Sequence, residues 1–177
     1  MGGLRIVKVG ADRIADFEPL WASLHEHQRT VDPGIEGIPP RDLADSWPRR
    51  RVKYEEWLAE PGAFALLFED GGVPIAYAVV TMHEPADDTH VTKERWAELQ
   101  SLAVLPAHRE GGLGTQLMDR VYQELREMDI SELLIMVIAT NERALRFYER
   151  QGFKPWVVMT LGKVPPANPG REDPARP

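Results

Sequence analysis

A glycine-rich segment of the chain has residue types and a spacing that suit anion binding. A predicted strand is joined to the start of a predicted helix by His108-Arg109-Glu110-Gly111-Gly112-Leu113-Gly114-Thr115. Glycine lets the backbone approach a ligand closely because it carries no Cβ. The first N–H groups of a helix have no intrahelical partner and lie at the positive end of the helix dipole. Together these features predict a site for a phosphate or pyrophosphate group.

This segment can be interpreted as one of three known phosphate-binding motifs or as a glycine-rich turn that binds no ligand. A Walker loop requires Gly-Lys-Ser/Thr after its variable residues, and that triplet is missing here. A dinucleotide loop requires Gly-x-Gly-x-x-Gly, and no third glycine follows Gly112 and Gly114. A third motif, Arg-x-x-Gly-x-Gly, is present at Arg109, Gly112 and Gly114. The segment taken alone leaves this motif and the ligand-free turn equally open.

Two stretches of the chain resemble the signature sequences of the GNAT superfamily, the acetyl-CoA-dependent N-acetyltransferases. The Arg-x-x-Gly-x-Gly loop is that superfamily's acyl-CoA pyrophosphate loop, and residues 98–106 are similar to the strand that leads into it. Residues 141–153 are similar to the second signature, which contains Asn, then Ala and Phe-Tyr, then Gly-Phe. The two stretches occur in the family's order. The resemblance covers roughly residues 4–161 and is strongest over 96–153.

The loop departs from the family pattern at two positions. Related loops commonly have Gly and then a basic residue where this chain has Glu110 and Gly111. A carboxylate beside a pyrophosphate is unfavourable unless it points to solvent, and Gly111 supplies no compensating charge. The departure predicts weaker CoA binding without a change of fold.

The resemblance implies one residue for each proton transfer that amine acylation requires. A lysine-like amine has a pKa of about 10.4, so it must lose a proton before it attacks, and the leaving thiolate must gain one. Glu98 stands where some family members carry a catalytic glutamate, which makes it the candidate base. The alternative is a strand-end carboxylate in solvent or in an ion pair. Tyr148 stands where the family's tyrosine points at the CoA sulfur, which makes it the candidate acid. The alternative is a core tyrosine beside Phe147.

The resemblance also implies which residues would hold acetyl-CoA, the expected co-substrate. The backbone of the strand before the loop would bind the pantetheine amides and polarise the thioester carbonyl. Asn141 would hold the pantetheine arm or cap the following helix. The complete predicted set is Leu102, Ala103, Val104, Arg109, Glu110, Gly111, Gly112, Leu113, Gly114, Thr115, Asn141 and Tyr148.

Cofactor chemistry other than CoA finds little support. His25 and His27 lie two positions apart on a predicted helix, so they do not face each other, and no metal site is expected. The chain has no cysteine, which excludes disulfides, thiolate zinc sites and a cysteine nucleophile. An acyl group therefore cannot pass through a thiol of the protein itself.

Hydrophobic periodicity predicts the elements that must position these residues. The predicted strands cover 4–9, 64–68, 73–82, 96–105, 133–139 and 153–161. The predicted helices cover about 14–24, 47–58, 113–128 and 141–151, and Asp12 is the predicted cap of the first. Alternation in the fourth strand places on one face Glu98, Gln100, Leu102 and Val104. The order predicts an α/β (mixed α+β) GNAT fold with a mixed, mostly antiparallel sheet of roughly six to seven strands and about four helices.

Length and composition limit the classes of protein that remain. The 177 residues fit one domain, predicted over 1–163, and the Pro-rich remainder, 164–177, is predicted to be a disordered tail. The net charge of −7 argues against nucleic acid as a partner and suits a cationic amine. No apolar run approaches the ~20 residues of a membrane helix, and the first residues lack the apolar core of a secretory signal. We therefore expect a cytoplasmic protein with no membrane partner.

The predicted function is transfer of an acetyl group from acetyl-CoA to a small-molecule or peptide amine by direct attack in a ternary complex. A non-catalytic acyl-CoA-binding regulatory module on the same fold is the main alternative, and a nucleotide-binding α/β protein is the second. Turnover distinguishes the acetyltransferase from the binding module, because a binding module releases no free thiol with any amine. Dimers are frequent in the family, so a homodimer is open.

Overall fold

One sheet of five strands organises the computed structural model, which describes residues 3–84, 87 and 89–164. The strands are β1 Leu4–Val9, β2 Phe64–Asp70, β3 Val73–His83, β4 Trp96–Val104 and β5 Leu133–Ile135. The α-helices are α1 Glu18–Thr30, α2 Leu43–Ala59, α3 Leu113–Glu127 and α4 Glu142–Arg150. Short 3-10 helices cover Ala11–Phe17 and Pro106–His108.

The strands lie in sequence order, and their directions change once. β1 to β4 are antiparallel neighbours, whereas β5 runs parallel to β4 after the crossover through α3. The turn between β2 and β3 has positive φ angles at Gly71 (59°) and Gly72 (89°), which only glycine adopts readily. Such left-handed turns match the twist of paired strands, so this turn fixes the register of the hairpin.

Both faces of the sheet are covered by apolar packing. On one face, α3 places Leu117, Met118 and Val121 against residues of β2 and β3 such as Leu66 and Val80. On the opposite face, an aromatic cluster joins the first 3-10 helix, α1 and α2 to β3. Its members include Phe17, Trp21, Trp47, Tyr54 and Tyr77. The sheet therefore lies between two packed layers.

The predicted count of six to seven strands is wrong for the described residues, which contain five. The apolar run 133–139 pairs with β4 only over Leu133–Ile135, and a strand ends where its partner's hydrogen bonds end. Residues 153–161, the predicted last strand, adopt no regular structure. Their large side chains, from Trp156 to Leu161, are exposed.

The helix prediction agrees better with the structure. Four α-helices occur in the described part of the chain. The prediction that Asp12 caps the first helix is wrong, because the 3-10 helix already begins at Ala11 and Gly10 is its N-cap. No helix within the described ranges is both long and apolar enough to span a bilayer. The predicted tail lies outside the described residues except for Val164, which is exposed and irregular.

Candidate active site

A bulge in β4 shapes the region around the candidate residues. Val79 of β3 is paired with Ser101 and Val80 with Leu99, so Gln100 is an extra residue without a partner. An extra residue reverses the alternation of the side chains that follow it. The prediction that Glu98, Gln100, Leu102 and Val104 share one face is therefore wrong. Glu98 lies on the face covered by α1 and α2, whereas Leu102 and Val104 pack against the α3 side.

Beyond this bulge, β4 and β5 separate and leave a cleft. Their pairing ends at Leu99 and Ile135, and a cavity of about 460 Å³ opens between the diverging chains. The cleft is lined by residues 99–104, by residues 135–138, by the glycine loop with the start of α3, by one face of α4 and by the end of α1. The cleft therefore brings together segments that are distant in sequence.

The edge of β4 presents free backbone groups to this cleft. The N–H of Leu105 donates to the Ile75 carbonyl of β3 at 2.9 Å. Backbone groups alternate sides along a strand, so those of Leu102 and Val104 point away from β3, towards β5. The Val104 carbonyl accepts a hydrogen bond from Arg109 Nε at 3.0 Å. The remaining groups are placed to bond an amide or a carbonyl in the cleft.

The glycine loop ends in a helix start that faces the same space. Gly112 is the N-cap of α3 with φ 74°, a left-handed conformation that suits glycine. The first main-chain bond of α3 runs from Gln116 N–H to the Gly112 carbonyl, so the N–H groups of Leu113, Gly114 and Thr115 have no intrahelical acceptor. A Cβ on Gly114 would lie 3.4 Å from the Phe147 ring, so glycine there lets α3 approach α4 closely.

Glu110 and Gly111, the two positions that depart from the family pattern, differ in geometry. Glu110 adopts φ 72°, a conformation that costs a non-glycine residue about 1–2 kcal/mol. Glu110 also lines the cleft, and it is the one carboxylate among the described residues that do so. Gly111 has no positive φ, and a Cβ there would meet nothing closer than 3.9 Å. Of the predicted cofactor residues, Gly111 alone does not line the cleft.

Three arginines give the cleft a positive charge. Arg109 lines it together with Arg143 and Arg150 of α4. Burial, with the neighbouring charge of Arg143, lowers the pKa of Arg109. None of the three forms an ion pair within the described part of the chain. Arg143 and Arg150 were not among the predicted site residues, although their seven-residue spacing places both on one side of a helix.

Asn141 and Tyr148 both line the cleft from α4. The Asn141 side chain caps α4 by accepting from the Ala144 N–H at 3.1 Å. Tyr148 packs edge-to-face against Phe147 and Phe153, and its hydroxyl has no hydrogen-bond partner among the described residues. Burial raises the pKa of Tyr148 well above its ordinary value, so the phenol is protonated at neutral pH and can donate a hydrogen bond.

Glu98 lies outside the set of residues that line the cleft, although its neighbours Leu99 and Gln100 belong to it. The carboxylate is buried, and its Oε2 lies 3.2 Å from Nε2 of His83. The structure therefore brings together all the predicted residues except Glu98 and Gly111. Glu98 instead meets His83, a contact that spacing along the chain could not indicate.

The end of α1 supplies a further wall of the cleft through Leu24, His27 and Gln28. His25 is buried and packs beside Trp21, with ring centroids 5.8 Å apart. His25 and His27 thus lie in different surroundings, in line with their spacing on the helix. Among residues 3–84, 87 and 89–164, no group of three potential metal ligands is close enough to hold an ion.

The match to a known family decides how this arrangement is classified. The sequence model of the acetyltransferase (GNAT) family matches residues 21–153, well over half of the chain. The chain belongs to the GNAT acetyltransferase family.

Individual relatives are more distant. A mycothiol acetyltransferase of Acidimicrobium ferrooxidans is 31% identical over 99 residues, which cover 56% of this chain and 30% of that protein. An uncharacterized N-acetyltransferase of Mycobacterium bovis is 26% identical over 103 residues, which cover 58% of this chain and 60% of that protein. The chain matches less than two thirds of the length of either relative.

Solved structures share the fold over most of the chain. A GCN5-related N-acetyltransferase from Ralstonia eutropha superposes with a TM-score of 0.71 at 24% identity, covering 91% of this chain and 99% of that one. An aminoglycoside N-acetyltransferase in complex with CoA gives a TM-score of 0.67 at 15% identity, covering 93% and 96%. At these identities the likeness establishes the GNAT fold and nothing finer.

Proposed function

We propose that the chain transfers an acetyl group from acetyl-CoA to an amine by direct attack within a ternary complex. The observation that carries this proposal is the meeting of three features in one cleft: the free edge of β4, the uncapped N-terminus of α3 and the buried phenol of Tyr148. Each feature suits a different part of an acyl-CoA molecule. Acetyl-CoA, when bound, supplies the activated acyl group as a thioester.

The anionic end of the co-substrate belongs at the start of α3. The free N–H groups of Leu113, Gly114 and Thr115 can donate to pyrophosphate oxygens, and the helix dipole favours negative charge there. Arg109, Arg143 and Arg150 add positive charge to the same cleft. Amide groups further along the molecule suit the backbone of Leu102 and Val104, which lack strand partners on that side.

The acyl-transfer end belongs in the part of the cleft between Tyr148 and the bulged residue Gln100, both of which line it. The phenol of Tyr148 is protonated at neutral pH, and its hydroxyl has no hydrogen-bond partner among the described residues, so it is the group that gives a proton to the leaving thiolate. Glu98 lies outside the cleft lining, beside His83, and takes part in the removal of the amine's proton through that contact. Because the chain contains no cysteine, the acyl group moves directly to the amine and not through a protein thiol.

Thiol release with a panel of amines, combined with calorimetry of acetyl-CoA binding, tests this function. We expect binding together with amine-dependent release of CoA thiol. Gly112→Asp should abolish the binding because it adds a negative charge and a side chain at a left-handed N-cap. Binding without thiol release for any amine would instead support the regulatory binding module.

We further propose that the chain forms a homodimer through residues 156–161. Trp156, Val157, Val158 and Met159 are exposed in succession, and no described strand pairs with β5 on the side away from β4. Contiguous exposed apolar residues mark association surfaces, and an unpaired strand edge can accept another strand. Light scattering should give a dimer mass, and Val158→Lys should give a monomer. A monomeric wild type at micromolar concentration would refute the proposal.

A further inference from the structure

His83 lies beside Glu98 at the end of β3, and the function proposed above gives it no role of its own. Its ring stacks on Trp96, the residue paired with it across the sheet, with centroids 4.4 Å apart and planes 19° apart. Its Nε2 lies 3.2 Å from Glu98 Oε2 and 3.0 Å from Thr81 Oγ1. The Glu98 side chain is 9% exposed and that of His83 is 34% exposed. The imidazole is therefore the solvent-accessible member of the pair.

The contacts of Nε2 indicate which ring nitrogen carries the proton. A neutral imidazole has one N–H and one lone pair. A lone pair on Nε2 would face the Glu98 carboxylate and repel it, whereas an N–H there donates to it. The Nε2–H tautomer is therefore favoured, and Nδ1 is left with a lone pair. No described residue donates a hydrogen bond to Nδ1.

We propose that Nδ1 of His83 is the atom that takes the proton from the acceptor amine and that Glu98 is a positioning residue that orients the imidazole. This inference rests on the acetyltransferase function proposed above. The ammonium N–H bond breaks, its electron pair stays on nitrogen, and the proton passes to Nδ1 directly or through one water. The Glu98 carboxylate stabilises the imidazolium that results.

A hydrogen-bonded link connects this pair to the cleft. The Gln100 amide donates to Thr81 Oγ1 at 3.0 Å, and the same oxygen contacts His83 Nε2. Gln100 is the bulged residue of β4 and lines the cleft. Gln100 therefore lines the cleft while its side-chain amide bonds to Thr81, which lies with Glu98 and His83 on the α1–α2 face. An acceptor amine would approach from that face, opposite α3.

Few charged side chains of the described residues lie near His83. Glu98 is the one carboxylate in contact with its ring. Glu84 and Arg95 are the next residues outward on the chain segments that carry His83 and Trp96, and their Oε1 and Nε atoms lie 3.0 Å apart, so their charges largely cancel. The carboxylate of Glu98 therefore dominates the electrostatics of the imidazole.

Kinetics of His83→Gln in the 177-residue chain test the proposal. Glutamine places an amide nitrogen near the position of Nε2, so it can keep the contact with Glu98 while removing Nδ1. We expect kcat/KM for the amine to fall by about 10²-fold or more, with the Kd for acetyl-CoA unchanged. Glu98→Gln should also lower kcat/KM, and the double variant should be no slower than His83→Gln, because the two residues act as one unit.

Two further variants separate a base from a structural histidine. Imidazole added to the buffer should restore part of the activity of His83→Gly and none of that of Tyr148→Phe. His90→Gln is the matched control, because His90 lies on an exposed loop and contacts Asp87 and Trp156 instead of the Glu98 cluster, so its activity should equal that of wild type. Full activity of His83→Gln combined with a large loss in Glu98→Gln would overturn the proposal and make Glu98 the base by itself.

A spectroscopic measurement tests the pair without turnover. A long-range 1H–15N spectrum of the free protein, assigned with His83→Gln, should show the neutral His83 ring protonated at Nε2. A proton on Nδ1 would overturn the proposal. Failure of the wild type to acetylate any amine would refute the proposed function, and this spectrum would distinguish that outcome from a wrong assignment of the pair.

Discussion

Glu110 in the glycine loop combines a strained backbone conformation with a negative charge that is unfavourable for phosphate binding. Substitutions can separate the two effects. It holds φ 72° without being glycine, and it is the one carboxylate among the described residues that line a cleft containing Arg109, Arg143 and Arg150. Glu110→Gly removes both effects. Glu110→Gln removes the charge and keeps the strain. The difference in stability between the two variants therefore measures the strain less the extra conformational entropy that glycine loses on folding.

The expected stability gain follows from the backbone geometry. A left-handed conformation costs a non-glycine residue about 1–2 kcal/mol, and glycine loses about 0.4–1 kcal/mol more than other residues on folding. The net gain for Glu110→Gly over Glu110→Gln is about 0.5–1 kcal/mol. For a chain of 177 residues this raises Tm by about 1–4 °C. Asp129→Gly is a matched control, because Asp129 also has positive φ (58°) and does not line the cleft.

The expected binding gain follows from the charge. An exposed charge interaction is worth up to about 1 kcal/mol, so both Glu110 variants should bind acetyl-CoA up to about fivefold more tightly. The gain should shrink as salt rises, because the Debye length is about 8 Å at physiological ionic strength. Asp129→Gly should leave binding unchanged.

The assays are calorimetry of acetyl-CoA binding at two salt concentrations and thermal unfolding. Both are applied to the wild type, Glu110→Gly, Glu110→Gln and Asp129→Gly. Adding Gly111→Arg to Glu110→Gly should tighten binding further, because position 111 has ordinary backbone geometry and room for a side chain. Unchanged affinity of Glu110→Gln at low salt would show that the carboxylate points away from the bound phosphates. A Tm for Glu110→Gly equal to that of Glu110→Gln would refute the strain argument.

Further predictions concern the acid, the cleft charge and a buried carboxylate. Tyr148→Phe keeps the packing with Phe147, so acetyl-CoA binding should persist while kcat falls about 10²-fold, and an unchanged kcat would return Tyr148 to the core. Arg143→Ala should weaken acetyl-CoA binding about fivefold at low salt and less at high salt, whereas equal loss at both would contradict an ionic role. Hydrogen bonds from Arg13 and then Arg5 lower the pKa of Glu69. Its stabilisation is complete above the unfolded-state pKa of about 4.3 and is lost as pH falls through the folded-state pKa, so urea unfolding should show an acid-side decline that Glu69→Gln reduces.

Much of the fold could be predicted from local patterns. The apolar stripe of α3 is buried at Leu117, Met118 and Val121 as its helical spacing predicts, and the two strands predicted on either side of Gly71-Gly72 pair through a turn at these glycines. The glycine loop does join β4 to a helix start. These features depend on residues within a few positions of one another, and the stripe's period and the glycine conformations are properties of the local chain.

Errors arose where a distant partner decides the outcome. Glu124 lies on the polar side that helical spacing gives α3, yet it is buried and its carboxylate lies 2.6 Å from both Lys8 of β1 and Arg120. The predicted strand over 153–161 has no partner among the described strands. A strand requires hydrogen bonds from a neighbour, so alternation and apolar content alone do not determine it.

The sequence by itself determined the family, the glycine loop that lines the cleft and the helix that carries Tyr148 and is capped by Asn141, because each depends on residue type at a fixed local spacing. The tertiary structure alone decided which of the predicted site residues of β4 share a face of the sheet. The bulge at Gln100 places Glu98 and Leu102 on opposite faces of β4, and the end of the β4–β5 pairing opens the cleft. A bulge exists only relative to the partner strand opposite it, so its position is set by the pairing of β3 with β4. That same pairing brings His83 to Glu98 across 15 residues of chain.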